Sequence, residues 1–329
     1  MRLSEILYQV EHLKKYYVTG KDFLGRPTKT VKGVDDVSFA VRRGEILGVV
    51  GESGCGKSTL GRTMLRLQEP TEGKLIFNGT DITNLSDQEM RTYRKQMQMV
   101  FQDPFAAINP RKTVLDYVKE PLEVFGIGEK GEREDRTVEM LRRVGLPDAH
   151  IHRYPHELSG GQRQRVVIAR AVIATPKFIV CDEPVSALDV SVRAQILNLM
   201  KDLQREMGIS YLFISHDLSV VRYLCDRIVV MYLGKVVEIA DKKELFENPL
   251  HPYTKVLLSA IPVPVYGAKR ERLFFHGELP SPLNPPAGCR LHTRCPYATP
   301  ECASCEQELR DVGGGHMVAC GRYEQLQGQ

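Results

Sequence analysis

The sequence predicts an α/β fold built on a mostly parallel sheet, with an antiparallel β-subdomain and an α-helical subdomain set into it. Three observations carry that expectation. A glycine-rich loop, Gly51-Glu-Ser-Gly-Cys-Gly-Lys57-Ser58, stands between a short apolar run, Ile46 to Val50, and a proline-free stretch of helical composition, Ser58 to Leu67. Strand-like runs at 178–181, 211–214 and 228–232 alternate with helical segments such as Val190 to Met207, which is the rhythm of strands joined by crossover helices. Between these blocks, residues 87–99 and 112–145 are charged, with apolar positions at helical spacing, and are expected to be helices. Ahead of the loop, residues 5–50 alternate apolar and polar, as in Val34-Asp-Asp-Val-Ser-Phe-Ala-Val41, a pattern for antiparallel strands with one wet face.

Composition narrows the function classes. The 329 residues can bury one substantial core and still carry an appendage. With 45 basic and 41 acidic side chains, a formal charge of +4, there is no polybasic field that would argue for nucleic acid. No apolar run approaches the roughly 20 residues needed to span a bilayer, and Met-Arg-Leu-Ser-Glu-Ile lacks the apolar core of a signal peptide. The expectation is a cytosolic chain whose work at a membrane would come from docking on separate membrane subunits.

The loop fits G-x-x-x-x-G-K-S, in which backbone N–H groups of Gly51, Ser53, Gly54, Cys55 and Gly56 curl around phosphate. Lys57 neutralises the outer phosphate oxygens, Ser58 meets Mg²⁺, and Thr59 continues the site into a helix N-terminus. Phe178-Ile-Val-Cys-Asp182-Glu183 is a buried-strand run ending in two carboxylates, where an open parallel sheet presents groups to a ligand. Asp182 suits the Mg²⁺ shell; Glu183 can orient, or take a proton from, the water attacking the γ-phosphate. A second glycine motif, Leu158-Ser159-Gly160-Gly161-Gln162, opens a helical stretch to Ala174. It is either a second anion site or an ordinary serine-capped helix start. His216 follows Tyr211-Leu-Phe-Ile-Ser215 as a γ-phosphate contact, or as a surface or capping residue. Adenine needs a flat apolar surface, for which Tyr17, with Tyr16 close behind, competes with simple strand packing. Together the two glycine motifs and the acid pair indicate an ATPase.

With these motifs in order, the chain resembles the nucleotide-binding subunits of ATP-binding cassette (ABC) transporters: Walker A at Gly51 to Ser58, Gln102 in Phe101-Gln-Asp-Pro, the Leu-Ser-Gly-Gly-Gln signature, Walker B ending at Asp182, Ser186-Ala-Leu-Asp189, and His216. The resemblance implies a P-loop NTPase (RecA-like) core. Residues 1–265 would be the nucleotide-binding domain, with its helical subdomain at about 103–165, and 266–329 a cysteine-rich C-terminal extension. It further implies that Gln102 senses Mg²⁺ and the attacking water. Two cassettes would meet head to tail so that Ser159, Gly160, Gly161 and Gln162 of one face the ATP of the other. Phe105, Ile108 and Pro110 would line a groove for a membrane subunit. Phe101 to Arg111, the phosphate loop and His251-Pro-Tyr-Thr254 look like the F-type ATPases of dipeptide and oligopeptide importers. That subclass implies a D-type ATPase partner, two transmembrane permeases, an extracytoplasmic peptide-binding protein, and a peripheral location on the cytoplasmic face of the inner (plasma) membrane. Nickel importers are similar in sequence. Soluble ABC ATPases acting on DNA or ribosomes fit less well, since there is one cassette with a short insertion, and a non-hydrolysing ATP-binding module is disfavoured by the presence of Glu183 and His216.

Five of the 8 cysteines, Cys289, Cys295, Cys302, Cys305 and Cys320, fall in a tail rich in Pro, Gly and Arg. In a cytosolic enzyme such clustering reads first as metal or cluster ligation. Gly288-Cys-Arg-Leu-His-Thr-Arg-Cys-Pro296 resembles the tail motif of the same importer ATPases, which implies a 4Fe-4S cluster on Cys289, Cys295, Cys302 and Cys320, with Cys305 able to replace Cys302. Zn²⁺ is the alternative, with His292 and His316 as further ligands or as local hydrogen-bonding residues, and free or redox thiols the third reading.

Overall fold

The computed structural model describes residues 6–22, 27–261, 273–275 and 277–326. Two compact units divide the chain: one holds residues 6–41, 46–83 and 215 onward, the other residues 42–45 and 84–214.

In the first unit an antiparallel sheet runs in the order Pro27–Arg42, Ile6–Lys21, Glu72–Phe77, Thr80–Asp81. Its register sets Tyr8 opposite Phe77 and Val10 opposite Leu75, so the period-2 alternation of strands sends all four to one buried face. A second set of strands runs Arg310–Asp311, Met317–Val318, Lys235–Asp241, Arg227–Tyr232, Ile46–Val50. Only the last pair is parallel. Ile46–Val50 is buried at every residue, which is why it reads as an unbroken apolar run rather than an alternating one. The helices Lys57–Met64, Leu218–Leu224, Lys242–Glu247 and Pro252–Ser259 belong to this unit.

Lys235–Asp241 carries a carboxylate in its middle. Glu238 is fully buried, and it is satisfied by N–H donors from Leu250 (2.7 Å) and His251 (3.1 Å) and by His316 Nε2 (2.7 Å), as a buried acid must be. These bonds seat the start of the helix Pro252–Ser259. There His251 Nδ1 accepts the N–H of Tyr253 at 3.1 Å, capping the helix.

The second unit has three parallel strands in the order Met97–Val100, Phe178–Asp182, Ser210–Ile214. The last two are buried throughout. Helices Asp87–Arg94, Val114–Val124, Lys130–Arg143, Gly160–Val172 and Val190–Met207 complete it, with Val114–Val124 and Pro104–Ala107 packed on Gly160–Val172. Residues 97–99, expected as helix, are strand. The helix stops at Arg94, and Met97 and Val100 are buried beside Phe178 and Cys181, so tertiary pairing overrides the helical spacing.

Burial lowers the pKa of His251 from 6.5 to about 4, Glu238 only partly opposing it. The unfolded chain therefore takes up a proton near 6.5 that the folded chain refuses until about 4. The stability this site contributes is full above the first value and is lost as pH falls toward the second. His251→Asn retains a capping side chain and should flatten the fall in Tm between pH 6.5 and 4; thermal melts with identical slopes in parent and variant would exclude His251 as the source.

Candidate active site

The phosphate loop links the strand Ile46–Val50 to the helix Lys57–Met64. Two of its glycines are demanded by backbone packed against the outside of the loop. Gly51 has φ +152° and a Cβ there would sit 2.2 Å from the Met231 carbonyl oxygen; Gly56 has φ +105° and its Cβ would lie 2.0 Å from that of Gly33. Ser53 and Gly54 are exposed, and a Cβ on Gly54 would meet nothing within 4 Å. Cys55 is buried, and burial pushes its thiol up despite nearby Lys57. The Lys57 ammonium, also buried, donates to the carbonyls of Gly51 (2.8 Å) and Glu52 (3.0 Å). Ser58 and Thr59 stand half-buried in the first turn of the helix.

Tyr17 and Tyr16 separate clearly. The Tyr17 hydroxyl donates to Gln68 Oε1 at 2.5 Å and lies 3.5 Å from Thr59 Oγ1, against the helix that follows the loop. The Tyr16 hydroxyl is committed to Asp35. His216 is exposed and directly follows Ser215, whose N–H donates to the Val49 carbonyl at 3.1 Å. The histidine thus stands one residue beyond a backbone bond to the strand that feeds the loop.

In the second unit Asp182 closes a buried strand and is itself buried. Glu183 follows with φ +48°, a left-handed backbone uncommon outside glycine and typical of functional positions. Its N–H donates to the Ile214 carbonyl at 3.0 Å, and its Oε2 accepts from Gln102 Nε2 at 3.1 Å. Gln102 and Glu183 are 81 residues apart in sequence and are brought into contact.

The signature opens the helix Gly160–Val172 as a capping box. Ser159 Oγ accepts from the Gln162 N–H (3.4 Å) and Gln162 Oε1 from the Ser159 N–H (3.0 Å). Ser159 and Gly160 are exposed. A Cβ on Gly161 would come within 2.5 Å of Val192 Cγ1. Gln162 Nε2 also reaches His150 Nδ1 at 3.1 Å, a partner that nothing in the local sequence signals. In the short helix Pro104–Ala107, Phe105 is 64% exposed and carries the Arg163 guanidinium over its ring at 3.5 Å, whereas Ile108 at its end is 4% exposed. Ile108 therefore packs the loop and does not line a surface groove.

The tail requires a correction. Cys289, Cys295, Cys302 and Cys320 line one cavity of about 370 Å³, and Cys305 is exposed outside it. Among the described residues, however, no group of three or more His, Cys, Asp or Glu is arranged to hold a metal ion. The 4Fe-4S cluster and the Zn²⁺ alternative are withdrawn on that ground. Burial, reinforced by the neighbouring thiols, pushes Cys289 up to about 11 and raises Cys295 and Cys320. His292 Nδ1 bonds the Cys289 carbonyl (2.8 Å) and His316 bonds Glu238, so both are local hydrogen-bonding residues.

A family model described as ABC transporter matches residues 34–186, and one described as the oligopeptide/dipeptide transporter C-terminal region matches residues 237–302. The oligopeptide transport ATP-binding protein AppF of Bacillus subtilis (strain 168) is 53% identical over 323 residues, covering 97% of this chain and 98% of that protein. This chain belongs to the ABC transporter ATPases of the oligopeptide/dipeptide family. Its cassette fold is shared with the ATP-binding cassette MJ0796 in a dimeric post-hydrolysis state bound to ADP and Pi (TM-score 0.65, 30% identity, 72% of this chain and 99% of that one). It is shared too with cbiO1 of Clostridium perfringens, part of the ABC transporter complex cbiONQ (TM-score 0.64, 27% identity, 74% and 92%). Membership makes the chain an ATPase working on ATP with Mg²⁺. Among the described residues no helix is long and apolar enough to cross a membrane.

Gly161→Ala in this ABC ATPase drives a methyl group into Val192 and should destabilise the chain by about 1–3 kcal/mol. Adding Val192→Ala should recover most of that loss in denaturant unfolding, and additive losses in the double variant would show that the two side chains do not collide.

Proposed function

We propose that this chain is the ATP-hydrolysing subunit that powers import of di- and oligopeptides. In this reading it pairs head to tail with a related D-type ATPase on the cytoplasmic face of the inner membrane, beneath two permeases fed by an extracytoplasmic peptide-binding protein. The 53% identity to a named oligopeptide transport subunit and the match of residues 237–302 support the cargo class. Hydrolysis is carried by one observation, the hydrogen bond from Gln102 to a Glu183 held in a left-handed backbone.

Residues 1–265 act as the nucleotide-binding domain, with the helical subdomain at about 103–165, and 266–329 as a C-terminal extension. The fit to nucleotide rests on the curled loop and on Lys57, whose ammonium already caps two loop carbonyls and exchanges them for phosphate oxygens. Gly51, Ser53, Gly54, Cys55 and Gly56 turn their N–H groups to the β-phosphate, and Thr59 and Tyr17 meet the nucleoside side. Ser58 and Asp182 supply oxygens to Mg²⁺, which when bound neutralises charge on the transferring phosphoryl group. Glu183 orients the attacking water and takes its proton, Gln102 fixes the carboxylate that does so, and His216 contacts the γ-phosphate. Ser159, Gly160, Gly161 and Gln162 serve the ATP bound to the partner ATPase, through the N–H groups of a helix start.

Glu183→Gln keeps an acceptor for Gln102 and removes the base. Hydrolysis by the assembled transporter should fall by at least about 100-fold while ATP remains bound; parental turnover in a pure sample would take Glu183 out of this role.

A further inference from the structure

Glu52, at the second position of the phosphate loop, has each of its polar groups engaged. Its N–H donates to Tyr253 Oη at 2.8 Å, its carbonyl accepts the Lys57 ammonium at 3.0 Å, and its carboxylate receives the Arg294 guanidinium through two bonds, Nη1–Oε2 at 2.9 Å and Nη2–Oε1 at 3.3 Å. Arg294 comes from the cysteine-bearing tail, 242 residues away. Its guanidinium lies 4.5 Å from the ring centroid of Phe275 and reaches Tyr232 Oη at 3.4 Å, while Tyr232 packs on Tyr253 with centroids 4.8 Å apart. The Arg294 side chain is 10% exposed, so this two-pronged pair is screened far less than a surface ion pair. A second tail arginine, Arg290, is buried with Asp35 and also donates to the Leu233 carbonyl. Asp35 in turn accepts from Tyr16, the neighbour of Tyr17.

We propose that Arg294 is a positioning residue for nucleotide: by gripping Glu52 it fixes the curl of the phosphate loop and the point from which Lys57 leaves it, so the C-terminal tail sets the affinity for MgATP. Glu52 links the tail to the lysine through a single residue, its side chain facing Arg294 and its backbone facing Lys57. The inference rests on the reading of Gly51 to Ser58 as the nucleotide cradle.

Binding of a fluorescent MgATP analogue to the full-length chain, with KM and kcat of the assembled transporter, tests both levels. Arg294→Ala should weaken nucleotide binding and raise KM by about tenfold, with kcat held within about twofold, the pattern of lost binding rather than lost chemistry. Arg294→Lys, keeping the charge without the fork, should fall between. The exchanged pair Glu52→Arg with Arg294→Glu should bind to within about threefold of the parent, since coupled partners do not add. An affinity within about twofold of the parent for Arg294→Ala, or an exchanged pair as weak as the two singles combined, overturns the proposal. Lys57→Ala separates the levels. If it loses nucleotide while Arg294→Ala does not, the tail's role alone is wrong, and if it binds normally, the cradle assignment fails with it.

Discussion

Backbone packed directly on backbone is the constraint around which the first unit is built. Gly56 leaves no room for a Cβ beside the Gly33 carbonyl, and Gly51 none beside that of Met231. The Gly234 N–H donates to the Cys55 carbonyl and the Asp35 N–H to that of Gly234, both at 2.8 Å. Residues 33–35, 51–56 and 231–234 therefore lock together with no side chain between them. The parallel register that sets Val50 beside Val230 delivers the loop and the turn to the same level. Such contacts are short and directional, so they anchor the two ends of the loop at Gly51 and at Cys55–Gly56, and the span between them is left for Glu52 and its partners to set.

Around that lock the buried charges are answered one by one. Asp35 has Arg290, Tyr16 and Lys32; although its burial alone would raise the pKa, these partners hold the carboxyl below its ordinary value. Glu238 has His316 and two N–H groups, and Glu52 has Arg294. Leaving Asp35 or Glu238, both buried, alone would cost several kcal/mol, about 3–5 for a buried pair cut in half. The same pairs explain how a tail poor in apolar residues stays attached without a metal. Arg290 and Arg294 tie it to acids, Met317–Val318 joins the edge of Lys235–Asp241, and Leu291, Val318 and Leu326 are buried. Burial raises the Cys289, Cys295 and Cys320 thiols inside it.

What was legible in the chain was whatever is encoded locally. The strands Ile46–Val50 and Phe178–Asp182 announce themselves as apolar runs, Ser159 as a helix cap, and the loop glycines by their spacing. Met97–Val100 was hidden because four residues are too few to display a period against the helical pattern before them. The two-residue strand Met317–Val318 exists only through pairing with Glu238 and Ile239, far earlier in the chain, and Arg310–Asp311 only through pairing with Met317–Val318. Cysteine spacing suggested ligands, but it reports neither the depth of burial nor the protonation that burial enforces. Glu52 sits at a variable position of the loop motif and carries no local signal, because its partner Arg294 lies at the far end of the chain.

Glu183 shows why local and distant information must combine at the chemistry. Its left-handed φ costs of order 1–3 kcal/mol and is maintained by the Ile214 carbonyl, the end of the adjacent parallel strand. The chain thereby turns at Glu183, directly after the strand that Asp182 closes, so the two consecutive carboxylates do not share the extended backbone of one strand. On the proposed assignment this is what lets one serve Mg²⁺ and the other the water. The side chain then needs a second contact, and Gln102 supplies it from the loop that precedes Pro104–Ala107. A displacement of that loop would break the Gln102–Glu183 bond without touching the strand that holds the Glu183 backbone. On the proposed assignment the base for hydrolysis is in this way tied to the loop that precedes the helix carrying the exposed Phe105.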